Sequence, residues 1–313
     1  MREHFLVSLN AVLPVFFIMA AGYLAKRVGI IQEQDIFKFN RVAFRVFMPV
    51  MLFKNIYASD LKTAVRPALL LYAITGVLIS YVLIWLAVHA SVKNRDKKSV
   101  LIQGMFRSNL AIIGVPIAES LTGGGDVSAV AVTMAVIVPI FNVLAVICLE
   151  AYSEDKIRPG RMLLEVIKNP LIIGSALGLL VLLLKIRLPA ACVSAVNSVA
   201  GVASPLMLFT LGAFFRFDRL KSNAVYHAAV CAVRLLVVPA AALLPAMALG
   251  FRGIEMVSLF AVFAAPTAAN SFTMAQQMGG DGELAGEIVI TTSLFCVVTM
   301  FGWIFLLKNL GVF

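Results

Sequence analysis

Ten apolar stretches, most of them long enough to cross a bilayer, follow one another along this chain with only short polar connections between them. They fall at 5–25, 40–57, 67–90, 99–121, 127–150, 163–184, 189–215, 224–250, 254–278 and 284–307. A bilayer core needs about 20 apolar residues in a helix. Hydrocarbon offers the backbone no hydrogen bonds, so consecutive spans of this kind have to be helical. The composition agrees, with 61% hydrophobic residues, 13% charged residues and a mean hydropathy of +0.98. No soluble domain of 313 residues needs so much apolar surface. The expected fold is an all-α integral membrane protein of ten transmembrane helices. The first apolar run flows straight into the rest, so no separable cleavable signal peptide is expected. No room is left for a soluble domain.

One span is interrupted. The stretch Arg107-Ser-Asn-Leu-Ala-Ile-Ile-Gly-Val-Pro-Ile-Ala-Glu119 carries Asn109, Gly114 and Pro116 inside an apolar run. Pro116 has no N–H, so the carbonyl of Ile112 loses its helical partner. Gly114 adds backbone freedom beside it. The expected result is two half-helices meeting at a polar gap, with Pro116 opening the second half. Such a half-helix N-terminus in mid-membrane suits an anion.

The chain also repeats itself. Pro14 and Pro170, Gly22 and Gly178, and Pro49 and Pro205 are each 156 residues apart. Pro49-Val-Met-Leu-Phe53 nearly matches Pro205-Leu-Met-Leu-Phe209, and Gly124-Gly-Asp126 matches Gly279-Gly-Asp281 at an offset of 155. Two five-span halves follow, 1–150 and 163–313, joined by a linker loop at 151–162. An odd number of spans per half puts the second half upside down, the inverted-repeat design of secondary transporters. The same offset carries Pro116 onto Ser271, inside Ala265-Pro-Thr-Ala-Ala-Asn-Ser-Phe-Thr-Met-Ala-Gln-Gln277. Pro266 frees the carbonyl of Val262, and Asn270 lies one turn beyond. Spans four and nine are therefore the discontinuous pair, expected to cross at their breaks.

Charge sets orientation. Fifteen Lys and Arg lie in the odd-numbered loops and eight on the opposite side. Positively charged loops stay inside, which puts both termini outside and the Glu150–Arg161 loop in the cytoplasm. The net charge of +10 therefore reports topology rather than nucleic-acid binding. The four cysteines are scattered singly through apolar runs and read as reduced structural thiols.

Asn109…Gly114-Val-Pro116, the Pro49 motif, Asn169-Pro170 and Ala265-Pro266…Ser271…Asp281 together resemble the auxin efflux carrier family, in its bacterial branch of small organic-acid permeases. The resemblance covers essentially the whole chain. It implies a scaffold of spans one, two, six and seven, often dimeric, and a moving part of spans three to five and eight to ten. It implies organic anions as substrates, such as auxin in plants and malonate or malate in bacteria. This chain lacks the long cytoplasmic loop of the plant carriers, and Ser271 stands where they tend to have proline. Both departures weigh against auxin, which stays as the alternative substrate.

The candidate substrate-binding residues are Asn109, Gly114, Pro116, Pro266, Asn270 and Ser271. Each has a plainer reading: interhelical hydrogen bonds for the asparagines, and kinks for the prolines. Glu119 and Gln276 are candidates for coupling to H+ or Na+, against the reading of polar groups near a membrane edge. Arg107 is placed to draw in an anion, against the plainer reading of snorkelling to the interface, and Arg45 reads as lying deeper. Pro139 and Asn142 read as packing features. His4, His89 and His227 stand isolated. No paired acids, Ser/His pair or metal cluster marks an enzyme, and no cofactor is expected. The leading expectation is a secondary active carrier in the plasma (inner) membrane, with the lipid bilayer, a carboxylate and a second copy as its partners. A channel or receptor on the same fold is the competing class.

Overall fold

The computed structural model describes residues 2–58, 66–122, 128–153, 164, 166–216 and 223–312. Gly124-Gly-Asp126 and most of the 151–162 linker lie outside the described residues. The described chain is helical almost throughout. Its helices are α1 (Arg2–Arg27), α2 (Glu33–Val42), α3 (Met48–Tyr57), α4 (Pro67–Ser91), α5 (Arg95–Phe106), α6 (Val115–Leu121) and α7 (Ser128–Ser153). Then come α8 (Pro170–Leu183), α9 (Ala190–Phe214), α10 (Ala224–Ala232), α11 (Val238–Ala248), α12 (Ile254–Ala264), α13 (Asn270–Gln277) and α14 (Gly282–Asn309). Among the described residues, five continuous helical stretches are long and apolar enough to cross a membrane: Pro67–Ser91, Ser128–Ser153, Ala190–Phe214, Ala224–Ala248 and Gly282–Asn309.

Three wide π-helical turns join helices end to end. Ala43–Phe47 links α2 to α3, Leu110–Gly114 leads into α6, and Val233–Val237 links α10 to α11. Each precedes a helix with proline in its first two positions: Pro49, Pro116 and Pro239. The cause is local. Proline cannot donate to the carbonyl four residues back and its ring presses on it. The turn before it widens, and the N–H groups of Met48, Gly114 and Val238 reach five residues back, to Ala43, Asn109 and Val233. The carbonyl that Pro239 leaves free, on Leu235, accepts instead from Trp303 Nε1 at 3.0 Å. Continuous helix thus runs from Glu33 to Tyr57, beyond the 40–57 read from hydropathy alone.

Helix α1 packs along α9, and α3 along both α8 and α9. Glycine makes these approaches possible. A methyl group on Gly22 would sit 1.9 Å from the Phe209 carbonyl oxygen, and one on Gly212 would sit 1.9 Å from that of Met19. On the other side, a methyl on Gly178 would lie 2.9 Å from the Phe53 carbonyl oxygen. The remaining helices form a second set of neighbours, with α5 on α4 and α7, α12 on α7 and α11, and α14 on α10 and α13. Contacts of α1 with α14 and of α3 with α7 join the two sets.

The tight glycine contacts give a direct test. Gly212→Val puts a branched side chain into the α1 backbone and is expected to cost about 3 kcal/mol. Gly201→Val, on the same helix, meets open space and is expected to leave stability unchanged. Thermal unfolding of both variants in detergent, followed by size exclusion, checks the contrast.

Candidate functional site

Span four breaks at Arg107–Asn109, between α5 and the turn at Leu110–Gly114. Span nine breaks at Ala265–Ala269, between α12 and α13. The two gaps lie against each other and pair antiparallel, Ser108 opposite Thr267. Asn109 N donates to Pro266 O at 2.7 Å, and Ala268 N donates to Arg107 O at 3.4 Å. Pro266 therefore acts through its carbonyl as well as through its missing N–H. The break in span four comes about two turns before Pro116. That proline is absorbed by the wide turn, and its side chain is exposed. Gly114 packs on α12, where an added methyl would meet Ala261 O at 2.9 Å.

A helix that stops in hydrocarbon leaves its last carbonyls without partners. Here Arg234 supplies them. Its Nη1 donates to Phe106 O at 3.0 Å, at the end of α5. Its Nη2 donates to Val262 O and Phe263 O at 3.2 and 2.8 Å, and its Nε to Ala265 O at 2.9 Å, at the end of α12. Val262 O is the carbonyl that Pro266 leaves free. Thr267 Oγ1 donates to Gly104 O at 2.7 Å. One fully buried guanidinium thus ties together the ends of two half-helices.

A narrow cavity, open on one side, lies beside the crossing. Arg107, Ser108, Asn109, Leu110, Ala268 and Asn270 line it from the breaks, while Met51 of α3 and Ser204 and Met207 of α9 face them. Leu110 begins a half-helix, where the N–H groups have no acceptor inside the helix. The amide nitrogen of Asn109, the amide oxygen of Asn270 and the hydroxyls of Ser108 and Ser271 are buried and have no partner among the described residues. Buried polar groups are normally satisfied, so such a cluster marks a place built for something else to bind.

Arg107 does not snorkel. It is 2% exposed and is held by Gln103 Oε1, Met274 Sδ and Asn142 Oδ1. It is the one charged residue lining the cavity, and no carboxylate pairs with it among the described residues. Asn142 is correspondingly more than a packing feature. Arg45 faces outward and is exposed, so it adds no charge to the crossing. Glu119 is exposed on α6. Gln276 sits on α13, and its Oε1 accepts from Asn40 Nδ2, while Thr210 Oγ1 donates to Asn40 Oδ1 at 2.7 Å. Asn109 and Asn270 therefore line the cavity. Pro116 and Glu119 face away from the packed interior, and Ser271 is buried next to Asn270. His227 is not isolated, because its Nε2 lies 3.0 Å from Glu287 Oε2.

Two interrupted helices thus cross inside an apolar bundle, beside a cavity that carries a few polar groups from the breaks in an otherwise apolar lining. The chain belongs to the membrane transport protein family, that of the auxin efflux carriers, which it matches over residues 7–304. It is a multi-pass membrane transporter and not an enzyme. An uncharacterized transporter of Methanocaldococcus jannaschii is 22% identical, with 96% of this chain and 100% of the relative covered. A second uncharacterized transporter, from Methanothermobacter thermautotrophicus, is 23% identical over 96% and 98%. A Rhizobium meliloti protein named "putative malonate transporter" is 23% identical over 95% of each chain.

The clamp is testable. Arg234→Met leaves four carbonyls to find new partners, each at about 1–3 kcal/mol, and is expected to yield little folded protein. Arg234→Lys keeps the charge but loses the fork, and its melting temperature in detergent is expected between wild type and Arg234→Met. Equal stability of all three would contradict the role assigned to the guanidinium.

Proposed function

We propose that this protein is a secondary active transporter of small organic anions, of the malonate or malate type, working by alternating access around the crossing. The observation that carries this reading is Arg107. A buried charge without a counter-ion is costly, and this one borders a cavity ringed by polar groups that lack partners. A carboxylate in the cavity would neutralise it, accept from Asn109 Nδ2 and lie against the N–H groups at the Leu110 half-helix start. The malonate in the name of the Rhizobium meliloti relative is consistent with this chemistry.

The wider architecture of this reading is ten spans in two inverted five-helix halves. Reciprocal packing supports it. Gly22 meets Phe209 and Gly178 meets Phe53, and adding 156 to Gly22 and Phe53 gives Gly178 and Phe209. Helices α1, α2, α3, α8 and α9 are the scaffold, and the helices bearing the crossing are the moving part. The cavity lies between the two, with Met51, Asn55, Ser204 and Met207 on the scaffold side. That is where a sliding motion would change access. Pairing of two copies through the scaffold, residence in the inner membrane and non-cytoplasmic termini belong to the same reading.

Counterflow in proteoliposomes tests the transport step. Labelled malonate or malate is expected to exchange with unlabelled substrate, with inhibition by related acids and none by the neutral amides. Equal competition by the amides would refute the anion site. Asn109→Ala removes one donor, worth about 1–3 kcal/mol or roughly one to two decades in affinity. Its KM should rise accordingly while folded yield is kept.

Orientation is tested separately, in a cysteine-free background. A cysteine at position 2 should react with an impermeant maleimide from outside, and one in the 154–161 segment should not. The reverse pattern would invert the topology.

A further inference from the structure

Apart from Arg107 and Arg234, the ionisable side chains buried among the described residues include Glu287 of α14 and His227 of α10. Glu287 is 3% exposed and His227 8%. His227 Nε2 lies 3.0 Å from Glu287 Oε2, and the same oxygen accepts from Asn223 Nδ2 at 2.9 Å. Asn223 Oδ1 in turn accepts from Lys97 Nζ of α5 at 3.0 Å. Glu287 also lines a small second cavity, open on one side, whose far wall is Leu211, Phe214, Phe215 and Arg216 at the end of α9. A buried ion pair contributes little net stability, and an ionisable group inside a membrane segment points to function.

The pair is tied to the crossing through two helices. His227 stands seven residues before Arg234 on the same span, two turns away. Glu287 stands five residues before Thr292, whose Oγ1 accepts from Thr267 N at 3.3 Å. We propose that the Glu287–His227 pair, set between the crossing helices and the cavity against α9, is a proton-binding site that couples proton movement to anion transport. This rests on the transport reading above. One proton enters from cavity water and binds the pair. No other bond is made or broken, and it leaves as a proton when the pair next faces water.

Charge accounting gives the reason. With His227 neutral, the buried groups are two positive arginines and one negative glutamate. A dianion such as malonate brings their total to one negative charge, and a proton on the pair brings it to zero. An apolar wall such as Leu211 and Phe214 then slides past a neutral carboxylic acid instead of a charged carboxylate, which lowers the desolvation cost. A monoanion reaches zero without the proton. The charged groups that face the pair are Lys97 on α5, Asp281 capping α14 and Glu283 on its first turn, with Arg216 just beyond the end of α9 across the second cavity.

The test uses the full-length protein in proteoliposomes with a trapped pH dye, labelled malonate as substrate, the half-amide of malonate as the monoanion control, and protein-free liposomes to subtract acid that crosses the lipid. In wild type, malonate uptake should acidify the lumen, and an inward proton gradient should stimulate net uptake on the order of tenfold. Glu287→Gln keeps the side-chain shape but cannot take up the proton. It should lose both effects while malonate exchange at equal pH persists, and His227→Gln should blunt them in the same direction. Wild-type malonate exchange with no proton movement would overturn this inference and leave the transport reading intact. A Glu287→Gln protein that still moves a proton with malonate would overturn it too. Should Glu287→Gln not fold, the wild-type proton flux and the His227→Gln protein decide. Absence of any carboxylate exchange by wild type would bring down both readings.

Discussion

The structure depends on one requirement, that backbone carbonyls released in mid-membrane find donors. Two helices stop inside the bundle, and each stop leaves carbonyls that hydrocarbon cannot satisfy. The chain meets this with a single guanidinium, because Arg carries five donors in a fixed planar fork. Arg234 spends its Nε and both terminal nitrogens on four carbonyls drawn from two helices. A lysine has three donors on one point and cannot span both ends. The antiparallel pairing of Ser108 with Thr267 then consumes the next backbone groups along each chain. Only with these needs met can the side chains of Asn109 and Asn270 be left for a solute.

This accounting separates two arginines that look alike in sequence. Arg234 is saturated with carbonyls, so it works as a strut whose charge is partly offset by the negative ends of two helices. Arg107 is held by neutral partners, an amide from α5, an amide from α7 and a thioether from α13. These fix its plane without neutralising it. On the reading proposed above, such a fixed, under-compensated cation beside a cavity would serve as a preorganised anion receptor, its cost in the empty state offset when an anion binds.

Much of this was legible in the sequence. Hydropathy located the apolar segments, and the 155-residue offset carried Pro116 onto Ser271, inside the Ala265–Gln277 stretch where the chain does break. Asn109 and Asn270 stood out because amides are rare in apolar runs, and both line the cavity. The break in span four was displaced, because Pro116 was read as a stop. A proline inside a span can be absorbed by a widened turn, as Pro49 and Pro239 also are. The true stop has no proline of its own and exists because span nine pairs with it. The arginines were misjudged for the same reason. The partners of Arg234 lie 28 to 128 residues away in the chain, and no local pattern announces them. His227 and Glu287 are 60 residues apart, on helices whose contact is a product of the fold.

On the transport reading proposed above, the positions of the charges bear on how the boundary beside the cavity would move. On the scaffold side the main cavity shows Met51, Ser204 and Met207, and the second cavity shows Leu211 and Phe214. Apart from Asn55 and Arg216 at the same two walls, these are apolar or weakly polar groups that fix no register. The strongly directional contacts, from Arg234, Arg107 and the Ser108–Thr267 pairing, join spans four, five, eight and nine to one another and none of them to the scaffold. A body tied together internally by charge-assisted hydrogen bonds, and held to its neighbour mainly by dispersion, can shift as a unit. Exceptions are Asn169, whose Nδ2 donates to Met278 Sδ, and the Asn40, Thr210 and Gln276 cluster, where α2 and α9 hydrogen-bond to α13. That cluster must reorganise for the half-helix to travel, and its neutral amides and hydroxyls are groups that can exchange partners at modest cost.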